Sequence, residues 1–183
     1  MERVLVIGCG GSGKTTFARR LAERSGLALI HLDRLHWRPG WRATPQEAWR
    51  ATVKEIVARE RWIIEGHYGG TLDLRLPACD TVVFLDTPRH VCLTRVVWRT
   101  LRHRGRERRE LAPGCPERLT LEFLVWIWGF GRRRRPLFER LAALRSDQRA
   151  VVLRTRDEIE QFLKGIPRAV LTVHATGDRL PPP

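Results

Sequence analysis

The chain has 183 residues, is 43% hydrophobic and carries a formal net charge of +14. That length is enough for one domain with a real core; the absence of any run of about 18 apolar residues excludes a membrane-spanning helix, so no membrane partner is expected. The four cysteines, Cys9, Cys79, Cys92 and Cys115, have no C-x-x-C spacing, which excludes a zinc finger or a disulfide framework. No signal peptide is expected either, because the chain enters its first strand at about Arg3; a cytoplasmic, reduced protein is the economical reading.

The elements alternate between strand and helix. Val4–Ile7 is an apolar run that predicts a strand. Lys14 to Ser25 predicts a helix with Phe17, Leu21 and Ala22 on one face and Gly26 just past its end. Leu27–Leu32 predicts a second strand. Thr44-Pro45-Gln46-Glu47 has the form of a capping box, opening a helix to about Arg59. Trp62–Ile64 and Thr81–Leu85 predict the third and fourth strands. A long helix should follow Pro88, with Val91, Val96, Val97 and Leu101 facing inward. Residues 104–116, rich in arginine and holding Pro113, Gly114 and Pro116, read as a mobile loop. Helices are expected over Pro116 to about Phe130 and over 136–145, then a fifth strand at Val151–Leu153. A second capping box at Thr155–Glu158 opens a last helix to about Lys164. Residues 1–166 are taken as one domain with a lid at about 102–118, and 167–183 as a C-terminal tail.

Strands separated by helices imply a parallel sheet with helices on both faces. Ligands then gather at the carboxyl ends of the strands. At the first such end stands Gly8-Cys9-Gly10-Gly11-Ser12-Gly13-Lys14-Thr15, the phosphate-loop pattern G-x-x-x-x-G-K-[ST]. Gly8, Gly10, Gly11, Ser12 and Gly13, continued by Thr16, cradle phosphates with backbone amides. Lys14 reaches the terminal phosphates and the Thr15 hydroxyl ligates Mg²⁺. At the other ends stand Asp33, Glu65 and Asp86. Asp33 can hold an acceptor hydroxyl or a metal-bound water. Glu65 or Asp86 can organise the metal. His31, His36 and His67 lie nearby without a zinc-site spacing.

Of the 34 basic residues only Lys14, Lys54 and Lys164 are lysines, and residues 95–145 hold 14 arginines against five glutamates. Arg95, Arg99, Arg102 and Arg106 follow helical steps and then enter the loop. A stretch of this charge either binds nucleic acid or closes over the phosphates of a small substrate. Arg132–Arg135 follows Trp126-Ile127-Trp128-Gly129-Phe130, a basic run beside aromatics of the kind that stacks on nucleic acid or caps a helix end.

These segments together resemble adenylate-kinase-like P-loop proteins, in particular the group called DNA topology modulation proteins. The resemblance rests on the glycine loop, His31-Leu32-Asp33, Trp37–Trp41, Trp62–Tyr68, Arg75, Asp80, Val83–Arg89 and the Arg95/Arg99 pair, over about residues 3–164. It implies a three-layer α/β P-loop NTPase fold with a five-stranded parallel sheet, order 2-3-1-4-5, and an arginine-rich lid. It makes Glu65 similar to the acidic residue ending the third strand of adenylate kinases, and Arg95 and Arg99 similar to the pair leading into their lid. Those kinases carry a Pro-Arg pair that grips the acceptor phosphate, where this chain has His67-Tyr68. Arg75 is the candidate to replace it. The reading is a kinase using ATP and Mg²⁺ on a nucleotide or another small-molecule acceptor, with Lys14, Asp33, Glu65, Arg95 and Arg99 as catalytic residues and Thr15 and Glu65 at the metal. The alternative is a nucleic-acid-binding P-loop ATPase that influences DNA topology. The acceptor, the choice of ATP or GTP and the oligomeric state stay open.

Overall fold

The computed structural model describes residues 1–103, 105–108 and 110–167; apart from Pro167, the expected tail lies outside the described residues. β1 (Arg3–Gly8) leads through the glycine loop into α1 (Lys14–Ser25). β2 (Leu29–His31) runs into a short α2 (Leu32–His36) and a hairpin of β3 (Trp37–Arg38) and β4 (Arg42–Ala43). Next come α3 (Gln46–Val57), β5 (Trp62–Glu65), a 3₁₀ turn at Gly69–Thr71, α4 (Leu72–Ala78) and β6 (Thr81–Leu85). α5 (Arg89–His103), α6 (Leu121–Trp128), α7 (Phe130–Ala142), β7 (Arg149–Leu153) and α8 (Arg156–Lys164) follow.

β2, β5, β1, β6 and β7 form one sheet in that order, every neighbouring pair parallel. With the hairpin strands set aside, this is the expected 2-3-1-4-5 order. Val4–Ile7 and Val82–Leu85 are wholly buried, as parallel strands covered on both faces must be. Their side chains alternate. Leu5, Ile7, Val82 and Phe84 join α3, α4, α6 and α7 on one face. Val4, Val6, Val83 and Leu85 join α1 and α8 on the other. Each large side chain buried this way stabilises the fold by about 1.5–3 kcal/mol. The register pairs His31 with Glu65, Glu65 with Val6 and Gly8 with Leu85, so the carboxyl ends of β2, β5, β1 and β6 form one edge.

Several expectations shift. Thr44 caps nothing: its hydroxyl donates to the His36 carbonyl at 2.8 Å, and Pro45 stands at the N-cap. The Thr155–Glu158 capping box does form. α5 buries Cys92, Val96 and Thr100, while Leu101 is 69% exposed; the inward stripe is rotated from the expected one. α6 begins only at Leu121, with the Thr120 hydroxyl accepting from the Phe123 amide. α7 starts before Pro136 and runs through it. α2 and α4 were not expected from the sequence.

The C-terminal half of the expected mobile loop is packed. Leu111, Ala112 and Cys115 are buried against Trp37 and Trp41. The Gly40 amide donates to the Gly114 carbonyl at 2.8 Å, and Trp41 Nε1 to the Pro116 carbonyl at 3.0 Å. Residues 111–116 therefore rest on the β3–β4 hairpin.

Candidate phosphate and acceptor site

The glycine loop curls because its backbone enters the left-handed region, with φ of 81° at Gly11 and 94° at Gly13. A Cβ is strained at either position. At Gly11 it would also press on the Cys92 carbonyl oxygen. The Ser12 amide closes the loop on the Cys9 carbonyl at 3.1 Å, and the Phe17 amide makes a helical bond to Gly13 at 3.0 Å. The amides of Lys14, Thr15 and Thr16 thus begin α1 with no intrahelical acceptor, at the positive end of a 12-residue helix. Thr87 Oγ1 donates to the Ser12 carbonyl at 3.2 Å, tying the loop to the end of β6. Gly8 ends β1, Gly10 lies under the Phe123 ring, and Ser12 is buried with its hydroxyl unpartnered.

Lys14 Nζ donates to the Cys9 carbonyl at 2.7 Å. Glu65, at the end of β5, is 5% exposed and lies 3.0 Å from His31 Nδ1; with the proton on that nitrogen, His31 donates. Burial pushes the Glu65 pKa up, but the His31 hydrogen bond and the Lys14 charge outweigh it and hold the carboxyl below its ordinary value. Glu65 is therefore an anion at the sheet edge from which the glycine loop also leaves. Asp86 is engaged elsewhere: Oδ2 accepts from Arg134 at 2.5 Å and from Arg154 at 3.1 Å.

Asp33 lies in the first turn of α2 and is half-buried. The Tyr68 hydroxyl donates to its Oδ1 at 2.7 Å. Burial, and then the Glu65 charge, raise its pKa above the ordinary carboxylate value, against the Tyr68 bond and the charges of Lys14 and Arg108. Tyr68 holds an unusual backbone, φ 32°. The buried guanidinium of Arg75 fixes it, donating to the carbonyls of Gly66, His67 and Tyr68 at 2.9, 2.6 and 2.7 Å. Arg75 is thus a buried strut. It is fully enclosed and has no free face for an acceptor phosphate, which corrects the expectation that it replaces the missing arginine.

The lid side is organised by a residue that sequence reasoning missed. Glu117 is 4% exposed. Its carboxylate accepts from Arg99 Nε at 3.0 Å and the Thr100 hydroxyl at 3.2 Å, and pairs with Arg108 Nε at 2.6 Å. Burial, and then the Arg108 charge, lower the Arg99 pKa, while Glu117 and Asp33 raise it. Arg99 and Arg108 are thus joined through one buried carboxylate, and Asp33 is among the charges that act on Arg99. Arg95 stands on the phosphate-loop side, its guanidinium 4.0 Å from where a Gly13 Cβ would be. Nothing in the spacing of Glu117 from Arg99 marks them as partners.

Among the described residues no group of three or more His, Cys, Asp or Glu side chains is arranged to hold a metal. The donor set at Thr15 and Glu65 fits Mg²⁺, which takes few protein ligands and shares phosphate oxygens.

No family model matches this chain. Among curated proteins it is similar to an uncharacterised Bacillus subtilis protein, YqaC, 27% identical over 128 residues, covering 68% of this chain and 70% of that protein. Solved structures share the fold. A sugar kinase from Janibacter sp. HTCC2649 superposes with a TM-score of 0.51 at 23% identity over 90% of this chain and 91% of that one. Shikimate kinase from Bacteroides thetaiotaomicron gives 0.55 at 17% identity over 89% and 94%. The Acinetobacter baumannii enzyme in complex with shikimate gives 0.53 at 20% identity over 90% and 92%. The chain has the α/β fold of P-loop kinases. No helix among the described residues is long and apolar enough to cross a membrane.

Proposed function

We propose that this protein is a P-loop kinase that transfers the terminal phosphoryl group of ATP to a small-molecule acceptor, with Mg²⁺ as cofactor. The observation that carries the reading is the gathering of Lys14, Thr15, Glu65 and Asp33 at the carboxyl ends of β1, β5 and β2, with Arg95 beside the phosphate loop. Lys14 and the amides at the start of α1 hold phosphate oxygens. Thr15 and Glu65 hold the metal and its water, and bound Mg²⁺ supplies charge neutralisation between the phosphates. Asp33, kept in place by Tyr68, orients the acceptor hydroxyl and takes its proton. Arg95, on the loop side, and Arg99, on the lid side, neutralise charge as the phosphoryl group moves. Such transfer needs little beyond positioning and electrostatics. The packed lid excludes water that would otherwise compete with the acceptor.

The fold of the sugar and shikimate kinases supports an acceptor outside the nucleotides, and so does the enclosure of Arg75. The nucleic-acid reading loses support from the same geometry. Arg99, Arg108, Arg134 and Arg135, all in the basic 95–145 stretch, are paired with Glu117, Asp86 and Glu139. The test is Mg²⁺-ATP turnover across a panel of hydroxylated metabolites, nucleosides and nucleoside monophosphates, with duplex and single-stranded DNA in parallel. The expected result is ADP release that requires one small acceptor and is lost in Lys14→Ala. ADP release stimulated by DNA alone would overturn the reading.

A further inference from the structure

We propose that the groove between α4 and the consecutive helices α6 and α7 is a second binding site, for a compact organic anion with an apolar body. The groove has a volume of about 880 Å³, within the range of small-molecule sites. Leu121, Val125 and Trp126 form its α6 wall, and Arg132, Arg133 and Arg140 of α7 line it as well. Leu121 and Val125 are 73% and 63% exposed. Two aliphatic side chains one helical turn apart, open to water beside arginines, bury nothing within the protein.

The arginine run Arg132–Arg135 divides by pairing. Arg134 pairs with Asp86 and Arg135 with Glu139. Arg132, Arg133 and Arg140 have no carboxylate partner among the described ion pairs, and these three line the groove. Glu122 is the one acidic residue in the lining, so positive charge remains in excess. Arg133 is held over the Trp126 ring at 5.5 Å, a cation–π contact that keeps a guanidinium on the aromatic wall. An anionic group on an apolar body matches both features.

The groove also holds an unsatisfied polar group. His67 lines it, is 9% exposed, and has its Nδ1 buried without a hydrogen-bond partner. Its ring packs edge-on against Phe130 at 4.8 Å and Trp126 at 6.2 Å.

This site is distinct from the phosphate loop. Phe123 lies against Gly10, its Cζ 2.7 Å from where a Cβ would stand. Phe123 stacks on Trp126 with ring centroids 6.1 Å apart. These two rings stand between the loop and the groove, and the proposal does not depend on the kinase reading.

The test is a fluorescence titration of the full chain with 8-anilinonaphthalene-1-sulfonate, an aromatic body carrying one sulfonate. Saturable binding at one site is expected, unchanged by saturating Mg²⁺-ATP. Arg132→Glu should weaken it by about tenfold, since it removes a charged contact and adds a repulsive one. Val125→Asp should weaken it similarly by placing a carboxylate on the apolar wall. Both positions are exposed, so the variants keep their fold, as thermal melts would verify. Arg135→Glu makes the same change in net charge outside the groove and should shift binding by less than about twofold, because exposed charges are screened. Equal weakening by Arg132→Glu and Arg135→Glu would overturn the proposal. So would displacement of the probe by Mg²⁺-ATP, or displacement by a single-stranded oligonucleotide at lower concentrations than by small aromatic carboxylates.

Discussion

Two arginine clusters lie within the same basic stretch and behave in opposite ways. Arg99 of α5 and Arg108 of the loop after it converge on the buried Glu117 and are thereby fixed. On α7, Arg132 and Arg133 have no carboxylate among the described ion pairs and line an apolar groove. A run of like charges in sequence says nothing about which outcome occurs. The deciding residue is the carboxylate that meets the run in space: Glu117 comes 18 positions after Arg99, and Asp86 meets Arg134 from 48 positions before. A buried carboxylate shared by two guanidinium groups makes them rigid and pre-oriented. Unpaired guanidinium groups beside exposed aliphatic side chains wait for an outside anion.

The comparison can be broken at four places, taken from the largest effect to the smallest. Arg99→Ala should lower kcat by about 10³-fold in acceptor-dependent ADP release, the scale of a transition-state arginine; a loss below about tenfold would remove the lid from the chemistry. Glu117→Ala leaves two guanidinium groups facing each other without a counter-charge. It should destabilise the fold by about 3 kcal/mol in urea unfolding, the usual cost of breaking a buried ion pair from one side, and should lower kcat as well.

Asp33 separates function from stability. Its pKa is raised in the folded state, so the folded protein holds this proton more tightly than the unfolded chain. Stability attributable to Asp33 is therefore present at acid pH and is lost as pH rises from the ordinary carboxylate value through the raised one. Asp33→Asn should be more stable than the parent at neutral pH, because the amide oxygen still accepts from Tyr68 and no charge is buried. It should also lose about 10²-fold in kcat and the acid limb of the pH–rate profile. A less stable Asp33→Asn would contradict this. The smallest effect belongs to Arg135, whose pair with Glu139 is largely solvated. Arg135→Ala should change unfolding stability by no more than about 0.5 kcal/mol.

Where the sequence was legible, one local pattern specified one local structure. The apolar run Val4–Ile7, the glycine loop and Lys14–Ser25 read as strand, turn and helix because each is decided within a few residues. The parallel sheet followed from strands separated by helices and its order from the resemblance; Glu65 was singled out as the end of a strand and does end β5, whereas Asp33, singled out on the same ground, stands in α2 just past β2. What stayed hidden depended on distant partners. Thr44 gave up its cap to bond His36. The lid carries turn residues, Pro113, Gly114 and Pro116, yet Leu111 and Cys115 anchor it on Trp37 and Trp41. Arg75 looked like a free cation and is a strut, since only the fold brings three carbonyls to it. Pro136 suggested a helix start, while α7 runs through it. Glu117 carried no local signal at all.

The most direct test of the account is acceptor-dependent ADP release measured side by side for the parent chain, Arg99→Ala and Arg135→Ala. Two arginines are removed, one tied to the buried Glu117 and one on the solvated face of α7. The account predicts that turnover collapses in Arg99→Ala and is unchanged in Arg135→Ala. Equal turnover in the two variants would contradict it, because the arginines of this segment would then act only through their summed charge.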